Sequence, residues 1–232
     1  MKLTFKPEQK YSNPQKAFNK FANKIKQGTK NKIPINPKEV STEIYRYNNI
    51  FAKQNKTSLF NNLAMQLAQS LVSLGDNNLA GAIYSFLIKT NAGNTKLAEQ
   101  IATNALAIAK RQHDPIHIMA RANDLNNIYK VTAPQSKRRL TILYDEKRAL
   151  NDICTDYEKV SKRYKTLTRR MKPVEVYEIM LASIKIQIAE FVSSTNKNLA
   201  KEEALGAKKI LDKYGKGKLT NQLNKILISL EK

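Results

Sequence analysis

LAMQLAQSLVSLGDNNLAGAIYSFLIKTNAGN, residues 63–94, is the stretch that decides the fold. Apolar residues recur at helical spacing on both sides of "GDN" (75–77), which predicts helices near 58–74 and 77–90 joined at Gly75-Asp76. A connection this short makes the two helices antiparallel. The pattern repeats outward from here. Further helices are predicted near 38–55, 94–112, 115–130, 135–171, 174–194, 198–213 and 218–230. Their connections, "NAGN", "HDP", "VTAP", "KPV", "TNKN" and "YGKGK", are all short. Asp114 before Pro115 makes an N-cap followed by a proline in the first turn. No window alternates with period 2, so no strand is predicted and the expected fold class is all-α, an array of antiparallel helical hairpins.

Two stretches resemble tetratricopeptide repeats, helix–turn–helix units that stack into superhelices. In residues 63–94, Leu67 and Leu71 take the apolar positions of the first helix and Gly75-Asp76 the turn. Ala80 takes the small position, Tyr84 the aromatic one, and Leu87 the next inward one. The second stretch, residues 97–130, matches at Ala98, Ala105, Leu106, Ile108, Ala109, Asp114, Ala120, Ala122, Leu125 and Tyr129. Ala68 stands where a glycine is usual, and Ala92 where a proline is usual. An unrelated packed helical bundle could carry the same residues. The resemblance covers about 58–130 and implies an α-solenoid scaffold that binds peptides or helices in a concave groove, without chemistry of its own. It makes Asn123, Asn126 and Asn127 candidates for a peptide groove; solvated asparagines in an Asn-rich chain are the plain alternative.

The 232-residue chain carries 41 Lys and Arg against 19 Asp and Glu, a net charge of +22. Such a charge attracts nucleic acid, anionic membrane or acidic proteins, and it says nothing about fold. A-rich codons would inflate Lys and Asn together, and there are 32 Lys and 23 Asn. Arg is the better witness: six of the nine lie between 138 and 170. Residues 1–37 read as a basic, largely unstructured arm, and 38–232 as one helical domain. Within the arm, "NPQKAFNKFANKIKQG" (13–28) places Ala17, Phe18, Phe21, Ala22 and Ile25 on one face, away from Lys16, Lys20 and Lys24. That face suits docking on the chain's own core, ordering on a partner, or lying on an anionic membrane.

Residues 135–172 contain no glycine or proline, so one long basic helix is expected there, unless a break that the sequence does not mark divides it. Leu150, Ile153, Tyr157, Val160, Tyr164, Leu167 and Met171 form a heptad seam, extended backwards by Leu140 and Leu143. The opposite side gathers Lys137, Arg138, Arg148, Lys159, Lys162, Arg163, Lys165, Arg169 and Arg170, the candidate contact for an anion or nucleic acid. Phosphate contact by such residues releases counterions and is insensitive to sequence. Tyr157 and Tyr164 fall on the seam, which argues against base stacking.

Catalytic signals are missing. His113 and His117 flank Pro115 and do not share a helix face, so no metal site is expected. Cys154 reads as a structural thiol. Glu175/Glu178 and Glu202/Glu203 sit at spacings every helix provides, and there is no phosphate-cradling glycine loop. The start of the chain lacks an apolar signal region, and the most apolar run, 179–192, is broken by Lys185, Gln187 and Glu190. The expectation is a cytoplasmic protein without catalytic residues or cofactors, off the membrane. It would be a binding scaffold for a protein or peptide, with a basic face for an anionic partner. The alternative is a protein that binds the RNA or DNA backbone without regard to sequence.

Overall fold

The computed structural model describes residues 13–165, 171–214 and 217–231, without the side chains of 163–165. Every regular element among them is an α-helix: α1 Pro14–Lys30, α2 Pro37–Lys53, α3 Thr57–Ser73, α4 Asn77–Thr90, α5 Thr95–Arg111, α6 Pro115–Thr132, α7 Lys137–Thr155, α8 Tyr157–Lys165, α9 Val174–Val192, α10 Lys197–Tyr214 and α11 Lys218–Glu231. None of these helices is long and apolar enough to cross a membrane. The helices group into two compact units, residues 1–101 and 102–232, with the boundary inside α5. Packing joins chain neighbours and helices two apart, which is compatible with a helical repeat.

Unit 1 is built on its turns. Gly75 adopts φ +81°, a left-handed conformation that glycine tolerates without a Cβ clash, and it ends α3. Its amide and that of Asp76 donate back to the Val72 and Leu71 carbonyls, each at 2.9 Å. The Asp76 carboxylate then accepts from the Leu79 amide at 3.1 Å and caps α4. Leu67 and Leu71 of α3 are buried, as are Ala80, Tyr84 and Leu87 of α4, and the two helices pack together as a hairpin. Between them lies a buried amide pair. Asn61 Nδ2 donates to Asn91 Oδ1 at 2.9 Å, and Asn91 Nδ2 donates to the Leu87 carbonyl at 2.8 Å.

The expected loose arm is corrected over most of its described length. Asn13 caps α1 through the Lys16 amide at 3.0 Å, and Pro14 sits in the first turn. Phe18 is fully buried, its ring centroid 5.2 Å from Tyr47, 5.8 Å from Phe60 and 6.4 Å from Phe51. Phe21 and Ile25 are buried on the same face, and the Tyr47 hydroxyl donates to the Ala17 carbonyl at 3.2 Å. The apolar stripe of α1 is thus occupied by its own unit, so α1 is a core helix. Residues 1–12 lie outside the described residues.

Unit 2 is organised around α9. Its Tyr177, Leu181, Ile184 and Ile188 pack on Leu143, Leu150 and Ile153 of α7. Its Ala182, Ile186 and Ala189 pack on Ala204, Ala207 and Leu211 of α10 and on Leu223 and Ile226 of α11. A helix covered on two sides must be apolar on two sides. That is why the run 179–192 is the most apolar in the chain.

The single long basic helix is also corrected. α7 ends at Thr155, and Asp156 (φ −111°, ψ 32°) caps it before α8 begins at Tyr157. The Asp156 amide donates to Asp152, and its carbonyl accepts from Val160. At the bend the Tyr157 ring meets Tyr177 at 6.3 Å, and its hydroxyl donates to the Lys172 carbonyl at 2.7 Å. Of the predicted seam, Leu143, Leu150 and Ile153 are buried, while Leu140, Tyr157, Val160 and Met171 are half-buried. Tyr164 and Leu167 lie outside the described side chains.

Candidate binding cleft

The polar residues that interrupt the apolar run of α9 are each held by a partner. Lys185 Nζ lies 3.2 Å from Glu203 of α10, which Lys147 of α7 also contacts. Glu203 is only 2% exposed, so its charge is balanced where water is scarce. A Cβ at Gly206 would come within 2.9 Å of Lys185 Nζ, so glycine there makes room for this arrangement. Glu190 accepts from Gln222 of α11 at 3.4 Å. Gln187 Oε1 accepts from Asn126 of α6 at 3.2 Å.

Asn126 is the hub of a polar network. It is 1% exposed, and its Oδ1 accepts from Arg139 Nε at 3.2 Å. Arg139 Nη1 donates to the Pro134 carbonyl at 2.8 Å, which ties the start of α7 to the α6–α7 turn. Burial lowers the Arg139 pKa, and nearby Glu190 acts against that shift. Asn126 also hydrogen-bonds the carboxyl of Glu146, itself 1% exposed. Burial pushes the Glu146 carboxyl up to about 7, against the pull of Lys130 and the Asn126 bond; Asp124 adds to the rise. The Oε2 atom of Glu146 has no partner among the described residues.

In front of this network lies an open polar cleft of about 330 Å³. Lys130, Gln135 and Arg139 line it from the α6–α7 side, and Ser183, Gln187, Glu190 and Phe191 from α9. Gln222 closes it from α11. Two of the five guanidinium N–H groups of Arg139 are used in the bonds described, which leaves others to face the cleft. The carboxamides of Gln135, Gln187 and Gln222 each offer a donor and an acceptor. The arrangement holds polar backbone-like groups together with both signs of charge.

The residues singled out from the sequence fall elsewhere, or only partly here. Asn126 is buried, with its carboxamide bonded to the cleft residues Arg139 and Gln187. Asn127 is exposed and Asn123 half-buried on the same helix. Lys137, Arg138, Arg148, Lys159 and Lys162 are exposed along α7 and α8. The side chains of Arg163, Lys165, Arg169 and Arg170 lie outside the described residues. His117 Nδ1 pairs with the capping carboxylate of Asp114 at 2.9 Å, while His113 sits exposed in the preceding turn at φ 51°. Burial, with a smaller contribution from Glu178, pushes the Cys154 thiol up to about 11, a poor state for a nucleophile.

Sequence reasoning missed Lys130, Gln135, Arg139, Glu146, Gln187, Glu190 and Gln222. The available signal was the trio Lys185, Gln187 and Glu190 inside an otherwise apolar run, since polar residues on a helix covered on two sides need partners. No family model, curated protein or solved structure matches the chain.

Proposed function

We propose that the chain is a non-catalytic binding scaffold, built from tetratricopeptide-like helical hairpins, whose second unit takes an extended peptide of a partner protein in the polar cleft. One observation carries this: carboxamides, guanidinium N–H groups and a carboxylate converge on the same open space. Carboxamides match the alternating N–H and C=O groups of a peptide backbone. Glu190 distinguishes this occupant from a bare polyanion, because a carboxylate welcomes peptide N–H groups and repels phosphate. Lys130 and Arg139 tilt the preference toward acidic peptides.

A random-peptide display library panned on the full-length protein tests this. Recovered peptides should lose at least tenfold in affinity for Gln222→Trp, which fills the cleft from an exposed position. Peptides that bind both proteins equally, or no recovered peptide at all, overturn the assignment of the cleft.

The second reading, contact with the backbone of RNA or DNA, is favoured by exposed Arg148, Lys159 and Lys162 along α7 and α8. Filter binding at two salt concentrations tests it, with a steep loss at the higher salt expected. Weak binding with little salt dependence rules that reading out.

A further inference from the structure

Directly behind the cleft lies a buried carboxylic acid, Glu146. Glu146 projects from α7 into the contact with α6 and is almost wholly buried. It reaches the cleft by two routes. One is the Asn126 carboxamide, bonded on its other side to the cleft residues Arg139 and Gln187. The other is Lys130, which lines the cleft and is also the cation that most favours the ionised form of Glu146.

We propose that the cleft is proton-linked: an acidic peptide entering it drives a proton onto Glu146, so its affinity falls as pH rises through neutrality. This rests on the peptide reading of the cleft. When Glu146 is ionised, Lys130 is partly neutralised by it, and an incoming carboxylate meets a second negative charge behind the wall. When Glu146 is protonated, Lys130 is released to the ligand and that repulsion disappears. Linkage is reciprocal, so whatever the proton does to ligand affinity the ligand does to proton affinity. The unpartnered Oε2 fits the same picture, because an orphan oxygen costs less on a neutral acid than on a carboxylate.

The surroundings leave few other groups to set this balance. From α6, Lys130 favours ionisation and Asp124 opposes it, Asp124 lying 3.1 Å from Arg121. From α9 the network arrives through neutral Gln187, while Lys185 is held at Glu203 and Glu190 acts on Arg139. On α8, Glu158, Lys159 and Lys162 are exposed. On α7 itself, Arg139 shares Asn126 with Glu146.

Titration calorimetry with acetylated hexaglutamate, in two buffers of different ionisation enthalpy, measures the protons taken up on binding. The wild type should take up a sizeable fraction of a proton near pH 7, and its affinity should fall severalfold between pH 6 and pH 8. Glu146→Gln, which keeps the shape of the protonated acid, should bind with no uptake from this site and with the wild type's low-pH affinity at both pH values. The difference between the two proteins assigns the proton to Glu146. Carboxyl-carbon NMR of the free protein supplies a readout independent of any ligand, with the Glu146 midpoint expected near neutrality. A midpoint near that of an exposed glutamate overturns the proposal. So does binding whose uptake and pH dependence are the same in wild type and Glu146→Gln, an outcome that leaves the peptide cleft standing. Hexaglutamate that fails to bind the wild type at pH 6, with the Glu146 midpoint near neutrality, overturns both the acidic-peptide cleft and the linkage.

Discussion

Phe18→Ala should cost unit 1 about 4 kcal/mol. Large-to-small changes at buried phenylalanines cost about 3–5 kcal/mol, and the cost depends on how far the site can collapse. Here collapse is resisted. The Phe18 ring is fully buried, with Phe21 at 5.9 Å on its own helix, Tyr47 and Phe51 on α2 and Phe60 on α3, so the void would be walled by rings from three helices. Lost edge-to-face contacts add about 0.5–1.5 kcal/mol per pair, which places the estimate in the middle of the range or above. At about 1.4 kcal/mol per tenfold, 4 kcal/mol is nearly a thousandfold. Amide hydrogen exchange read by mass spectrometry suits a two-unit chain, because it reports each segment separately. The slowest amides of α1, α2 and α3 should exchange about a thousandfold faster in Phe18→Ala. Asn19→Ala, at an exposed position on the same helix, should leave them within a fewfold of wild type. An increase of less than tenfold in Phe18→Ala would mean that α1 is the loose arm its composition implies, and the docking argument would fail.

Asn91→Leu strands the buried Asn61 amide and should cost about 2 kcal/mol in urea unfolding, with part recovered in Asn61→Leu/Asn91→Leu. Glu203→Gln leaves Lys147 and Lys185 facing each other without their anion and should cost about 3 kcal/mol; faster exchange in α9 and α10 would register it. Gly75→Ala forces an L side chain into φ +81° and should cost about 1–2 kcal/mol, seen as a melting point lower by several degrees. The folded state holds the Glu146 proton more tightly than the unfolded state does. That stability is therefore complete below about pH 4.5 and lost as pH rises through about 7, on the order of 3 kcal/mol in all. Urea midpoints for wild type and Glu146→Gln at pH 5 and pH 8 should diverge accordingly, and parallel midpoints would refute the buried acid.

The sequence by itself determined what depends on short-range chemistry. The turn at Gly75-Asp76 was legible because a left-handed residue followed by a capping carboxylate is a local requirement, and the cap at Asp114 obeys the same rule. The all-helical class was legible because apolar period and proline placement are properties of the chain alone. Which apolar faces meet was not. The stripe of α1 reads as a core face, a partner's docking face or, less readily, a membrane face, and only Tyr47, Phe51 and Phe60 arriving from other helices decide among them. The bend at Asp156 was invisible because the Tyr157 contacts that accompany it lie on residues 172 and 177. The cleft was the least legible feature. Lys130, Arg139, Gln187 and Gln222 come from four helices, and Lys130 and Gln222 look like ordinary surface residues along their own. Charge, amide and burial become a site only when tertiary packing brings them together, because hydrogen bonding and desolvation act between near neighbours in space.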